Sequence, residues 1–430
     1  MLPLIGAGAL LLIVVLGGLW IGFAIGVAAI VGLAPVYPIE ATFGLIGRTA
    51  YNTPSNFLLI AVPFFILLGE ILSSGKLSDE LYKGTAGLVE RLPGGLLQVS
   101  IVLCTIFSAL TGSATACAAA IGRLSYPELC IKRNYNRSLA TGVIAAGGTL
   151  GPLIPPSIMM IIYGSIAGEP IGKLFMSGVL PGLMIAGLFM TYTAIYVKLR
   201  PEVAPKEENR PSLRRSFVEM TRTLPIIGLI VAILGSIYTG IATPTEAAVV
   251  GVVGALILTA AYRHFDFGIV WGGVLKSLSI SAMIIMILIA AQVLVIVLAQ
   301  YNIPIMMRDF AETIGSPLLL FTIFVVMYLI LGMFFDGISM TVITMPFVLP
   351  ALTVAGMDTL WFGSILIILI GIAALTPPVG LNLFVLQGVT GVELFEVIKG
   401  SLPYMLILLS SLYIMYAFPQ IALWLPNTMG

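Results

Sequence analysis

Apolar residues run almost without interruption along this chain. Long apolar stretches lie near 2–36, 57–73, 97–122, 139–167, 174–197, 224–240, 246–262, 278–299, 317–354, 360–389 and 401–424. They are continuous rather than alternating, which is a helical pattern and not that of a half-exposed sheet. Each is near or above the roughly 20 apolar residues that a helix needs to cross a bilayer. Only helices or closed barrels satisfy every backbone polar group in lipid. The expected fold class is therefore an all-α polytopic membrane protein.

Composition sharpens this. The chain has 430 residues, of which 59% are hydrophobic and 9% charged. A soluble protein carries roughly 25% charged residues. Mean hydropathy is +1.12. A soluble enzyme, a nucleic-acid binder and a disordered regulator are all excluded. The net charge of +1 gives no global field for steering polyanions. The apolar N-terminus lacks a basic leading segment, so it reads as a span broken near Gly17-Gly18 rather than a signal peptide. Cys104, Cys117 and Cys130 imply no disulfide framework.

Lys and Arg set the orientation. The one long polar stretch, 198–223, carries Lys198, Arg200, Lys206, Arg210, Arg214, Arg215 and Arg222 and is read as cytoplasmic. Seventeen of the 20 basic residues then fall inside, leaving Arg48, Lys173 and Arg308 outside. Both chain termini are expected on the outer, periplasmic side. This ledger closes only if two runs enter and leave on the same face. These are a hairpin at about 94–122, from inside, and a hairpin at about 317–354, from outside.

The two halves read alike. Ser108 to Thr115 and Phe334 to Thr341 are the polar, Gly-containing centres of the two hairpins. Each hairpin precedes a helix broken at a double proline, at about 139–167 and about 360–389. The breaks are Gly147-Gly148-Thr149-Leu150-Gly151-Pro152-Leu153-Ile154-Pro155-Pro156 and Leu375-Thr376-Pro377-Pro378-Val379-Gly380-Leu381-Asn382. Ser113 and Ser339 are 226 positions apart, Pro155 and Pro377 are 222 apart, and Pro93 and Pro317 are 224 apart. The expectation is an inverted-topology repeat, residues 1–197 and 224–430, joined by a cytoplasmic linker at 198–223. Such repeats with Gly/Pro-interrupted helices point to a secondary transporter whose site lies near the midplane. Broken helices free backbone groups: N-terminal ends favour anions, while carbonyls and hydroxyls favour Na⁺. Two oxygen-rich clusters suggest at least two Na⁺ sites.

Single residues are weighed against plainer roles. Asp336 is the only carboxylate near a hairpin tip, where an ionisable group in a membrane is functional by default; a helix cap is its alternative. Thr243-Pro244-Thr245-Glu246 reads as a capping box. Glu70 is expected to snorkel or to pair with a basic residue. Trp20, Trp271, Trp361 and Trp424 sit at span ends and read as interfacial anchors. His264 lies in a short cytoplasmic turn and is not a ligand. Residues 75–92 are amphipathic, with Leu77, Leu81, Leu88 and Leu92 on one face, as in a helix lying in the interface.

Gly112-Ser113-Ala114-Thr115-Ala116, the Gly148-to-Pro156 stretch, Gly240 to Ala248 and Leu375 to Asn382 together resemble the large membrane subunit of tripartite ATP-independent periplasmic (TRAP) transporters. The likeness spans essentially the whole chain. It implies a separate small four-helix membrane subunit and a periplasmic substrate-binding protein as partners. It implies Na⁺-driven uptake of an organic acid anion such as a sialic acid, a C4-dicarboxylate or a sulfonate, across the bacterial inner membrane. It also implies an elevator, with scaffold and transport domains. By motif, Na⁺ falls at Ser108, Gly112, Ser113, Gly148, Gly151 and Pro152, and at Asp336, Gly337, Thr341, Thr376 and Gly380. Substrate falls at Ser113, Thr115, Pro155, Pro156, Ser339, Pro377 and Asn382. No organic cofactor is implied.

A self-sufficient Na⁺/carboxylate symporter of the related superfamily is the same-class rival. An intramembrane hydrolase lacks its chemistry: one interior aspartate, one histidine and no lysine at membrane depth. A channel finds no charged ring or repeated pore loop in support.

Overall fold

A computed structural model describes residues 20–74, 77–205, 220–221 and 223–429. Gly17-Gly18, Lys76 and most of the basic linker, including Lys206, Arg210, Arg214, Arg215 and Arg222, lie outside the described residues.

All regular structure among the described residues is helical, with nineteen α-helices. The first are α1 (Ile21–Leu33) and α2 (Ile39–Asn52); a 55° bend then leads through a 3-10 turn into α3 (Ala61–Ser74). Next come α4 (Leu77–Val89), α5 (Leu96–Thr111) and α6 (Ala114–Tyr126), which runs into a π-helical turn at Pro127–Lys132. α7 (Arg137–Gly148), α8 (Ile158–Ala167) and the long α9 (Ile171–Leu199) complete the first half. The second half begins with α10 (Leu224–Tyr238), α11 (Pro244–Ala261), α12 (Phe267–Gln300) and α13 (Ile303–Ile314). It continues with α14 (Pro317–Leu331), α15 (Gly337–Val354), α16 (Thr359–Ala373), α17 (Leu381–Thr390), α18 (Leu394–Ala417) and α19 (Gln420–Asn427). The order from α4 to α9 recurs from α13 to α18, each helix start shifted by 221 to 226 positions.

Of these helices, α9, α11, α12, α15 and α18 are each long and apolar enough to cross a membrane, and the bent α2–α3 pair makes a sixth candidate. The 16 residues of α5 and the 15 of α14 and α16 rise only about 22–24 Å, short of a roughly 30 Å hydrocarbon core. Each is too short to cross on its own, and the C-terminal ends of all three adjoin the site.

The two halves interlock. α7 lies along α18, and α16 against α9, so each broken helix packs on the long helix of the other half. The α7–α18 approach needs glycine on both sides. A Cβ on Gly400 would sit 1.8 Å from the Ser138 carbonyl oxygen, and one on Gly142 would sit 2.1 Å from that of Gly400. Across the α16–α9 contact, the Ser364 hydroxyl donates to the Ser177 carbonyl at 3.0 Å. α16 is buried at every position from Leu360 to Ala373 and forms the centre of the core. Outward faces stay apolar, as on α11 with Val249, Val250, Val253 and Ile257, which suits lipid rather than water.

The expected polar contacts resolve in two ways. Glu70 pairs with Lys276 at 2.6 Å, tying α3 to α12. Thr243 and Glu246 form a reciprocal capping box at the start of α11. Trp361 corrects the anchor reading. It is 4% exposed, its indole N–H donates to the Met415 carbonyl at 3.1 Å, and its ring lies among Phe321 and Tyr416. A position at the start of an apolar run faces lipid only if no neighbouring helix covers it, and here α18 does. Trp20, Trp271 and Trp424 are exposed.

Candidate functional site

α5 ends because Gly112 takes a left-handed conformation, φ +58°, and its N–H donates back to the Ser108 carbonyl at 3.0 Å. Glycine is required twice over there: a Cβ would also come within 2.7 Å of the Pro156 carbonyl oxygen. α6 starts at once, with the Ser113 hydroxyl as its cap, accepting from Ala116 N–H at 3.4 Å. In the other half Asp336 caps α15: one carboxylate oxygen accepts from Ile338 N–H at 3.0 Å and the other from the Ser339 hydroxyl. Two helix N-termini thus begin at equivalent tips, each with an oxygen at its cap.

The helix breaks lie against these tips. Between α7 and α8 the chain runs in tight turns from Thr149 to Ser157, and Ser157 caps α8 through Met160 N–H. A Cβ on Gly151 would meet the Ser113 carbonyl at 2.7 Å, so this break sits directly over the first tip. Between α16 and α17 the chain turns through Pro377-Pro378 to Gly380, whose N–H donates to the Thr376 carbonyl at 3.0 Å. Both double prolines, Pro155-Pro156 and Pro377-Pro378, carry a cis peptide bond.

Tips and breaks enclose one cavity of about 300 Å³. Of the residues expected at the site, Gly112, Ser113, Thr115, Pro152, Asp336, Gly337 and Gly380 line it. Ser113 and Thr115 hydroxyls lie 3.3 Å apart. The others stand behind the wall. Ser108 is wholly buried and its hydroxyl donates to the Cys104 carbonyl at 2.5 Å. Thr341 and Thr376 likewise donate at 2.8 Å to the carbonyls four residues back, Gly337 and Ile372. Ser339 is spent on Asp336. Pro155 and Pro156 are buried, and Pro377 is half-buried. Asn382 is 0% exposed; its amide donates to the Ala145 carbonyl at 3.1 Å and lies beside Gly148, fastening α17 to α7.

Apart from Thr111 the remaining lining is apolar, and much of it lies outside the sequence motifs. Ile280, Met283 and Ile284 of α12 form one wall, with Met159, Phe335 and Ile370 around them. Ile284 is 17 positions from Phe267 and 16 from Gln300, so the cavity lies at the mid-length of a 34-residue helix. Such an apolar chamber with a few convergent polar groups and two helix N-termini can hold a small anion away from water.

A polytopic helical protein with this chamber between paired helix breaks falls in the class of membrane permeases. The family described as "Tripartite ATP-independent periplasmic transporter, DctM component" matches residues 9–421, and the chain belongs to that family. It is a transporter permease subunit and not an enzyme. The C4-dicarboxylate TRAP transporter large permease protein DctM of Pseudomonas aeruginosa is 34% identical over 382 residues, 88% of each chain. The 2,3-diketo-L-gulonate TRAP transporter large permease protein YiaN of Escherichia coli is 33% identical over 94% of this chain and 96% of its own. The crystal structure of the YdaH transporter of Alcanivorax borkumensis, described as having an unusual topology, superposes with a TM-score of 0.62. It covers 90% of this chain and 89% of its own at 15% identity, a likeness of fold alone.

Proposed function

We propose that this chain is the membrane permease of a Na⁺-coupled importer for a small organic acid anion in the bacterial inner membrane. Its partners are a separate four-helix membrane subunit and a periplasmic binding protein that delivers the anion. The observation that carries the proposal is the single chamber walled by both hairpin tips and both helix breaks. α5–α6 and α14–α15 act as re-entrant hairpins, opened from opposite faces, and the halves 1–197 and 224–430 form an inverted repeat around the linker 198–223. Both termini lie on the periplasmic side.

The chemistry follows from the ends of helices. The α6 and α15 N-termini favour negative charge. At the first tip the Pro156 carbonyl lies over Gly112, whose N–H donates to the Ser108 carbonyl, and the Ser113 carbonyl lies over Gly151; backbone oxygens are donors of the kind a hard monovalent cation takes. Asp336 supplies the equivalent charge at the second tip. Filling these sites with Na⁺ would order both tips around the chamber and favour the bound anion. Tips and breaks then move as one body past a frame that includes α12.

Uptake into proteoliposomes containing this chain and its small subunit tests the reading. Labelled succinate, a sialic acid, isethionate and 2,3-diketo-L-gulonate would be offered with and without binding protein and an inward Na⁺ gradient. Uptake of one of them that needs both is the expected result. Uptake without a binding protein would place the chain with the self-sufficient symporters. No uptake of any acid would sink the importer reading.

A further inference from the structure

A second cavity, of about 330 Å³, opens where α2 bends into α3, with α8 and α12 closing its sides. Its lining is unusual for this chain: Thr49, Asn52, Thr53, Asn56, Ser165 and Gln292 are all neutral and polar, and none of the lining residues is charged. Gln292 is the only polar side chain on α12 between Ser281 and Gln300. Among the described residues neither the Gln292 nor the Asn52 amide has a hydrogen-bond partner. Gln292 is half-buried and Asn52 exposed, so both amides are open to exchange water for a ligand.

The cavity's position is equally specific. Its segments end near Arg48, Lys173 and Gln300, the side that the basic-residue ledger places outside. Ile280, Ile284, Leu288 and Gln292 follow one another at four-residue spacing along one face of α12. The first two line the central chamber and the last two this outer cavity. Gln292 stands about 12 Å from Ile284 along the helix. Ile284 and Leu288, at 1% and 2% exposed, close the passage between them.

We infer that the outer cavity is a staging site for the imported acid, built to take its hydroxyl, carbonyl or carboxylate oxygens on neutral amide and hydroxyl groups. This rests on the importer function proposed above. With no cation in the lining, the hold is weak and short-lived, as a step on the way to the chamber requires. Gln292 reads the substrate here without touching the helix breaks.

The test uses the two-subunit complex in proteoliposomes, with the four acids named above as probes. In Gln292→Cys, a membrane-impermeant maleimide applied from the binding-protein side should label Cys at this position. The acid that the wild type imports should slow that labelling, and the other acids should not. Gln292→Leu should import that acid about tenfold more slowly below saturation, the loss of roughly one hydrogen bond to a charged group, with unchanged thermal stability. Gln292→Asn should recover part of the rate. Labelling that the imported acid leaves unslowed, or wild-type uptake by Gln292→Leu, overturns the staging site while wild-type uptake upholds the importer. If the wild type imports none of the four acids, the importer reading fails and the staging site falls with it.

Discussion

Asp336 holds the first turn of α15 with both carboxylate oxygens and faces the chamber from the same position. Its cap and its charge can be separated because the equivalent tip does the first job with a serine, Ser113. Asp336→Ala would remove both, at a capping cost of about 1 kcal/mol. Asp336→Asn keeps an acceptor oxygen and removes the charge. Unchanged thermal unfolding and assembly with loss of Na⁺-driven uptake is the expected outcome for that variant, measured side by side on one preparation. Near-normal uptake would confine Asp336 to capping. Ser113→Ala removes a hydroxyl that lines the chamber, and should raise the half-saturating Na⁺ concentration by about tenfold. A Na⁺ titration that overlays the wild type would remove the Ser113 hydroxyl from ion binding. Thr341 and Thr376 keep oxygen lone pairs that a cation could take, although their protons are already committed. Each proton goes to a carbonyl four residues back.

At the scale of elements, glycine pairs decide what can approach what. Gly400→Ala puts a methyl group 1.8 Å from the Ser138 carbonyl, against backbone that cannot swing aside. Overpacking typically costs 1–3 kcal/mol, and here α7 must separate from α18. The expected result is a clear fall in the thermal midpoint and poor recovery of monodisperse protein. Gly187 on α9 has nothing within 4 Å of an added Cβ, so Gly187→Ala should be neutral or slightly stabilising by the same measurement. A wild-type midpoint for Gly400→Ala would refute the close α7–α18 contact. The helix ends and breaks were legible because Gly, Pro, Ser and Asp punctuate apolar runs at a near-constant offset. The wall of α12 was not: Ile280, Met283 and Ile284 look the same whether they face lipid, a core or a chamber. Trp361 was misread for the same reason, since hydropathy does not tell a neighbouring helix from a lipid tail.

At the scale of the whole molecule, a chamber made by two interlocked halves against one long helix is useful only if it changes partners across the membrane. In the elevator proposed above, the tips and breaks shift relative to α12 in each cycle. Met283 on α12 and Phe335 at the second tip line the same chamber. The most direct measurement is uptake by Met283→Cys/Phe335→Cys joined with a reducible bis-maleimide, the extent of joining read by mass spectrometry. Fully joined protein should import nothing, and reduction should restore the rate of the unjoined double variant. Full uptake by completely joined protein would contradict the moving chamber.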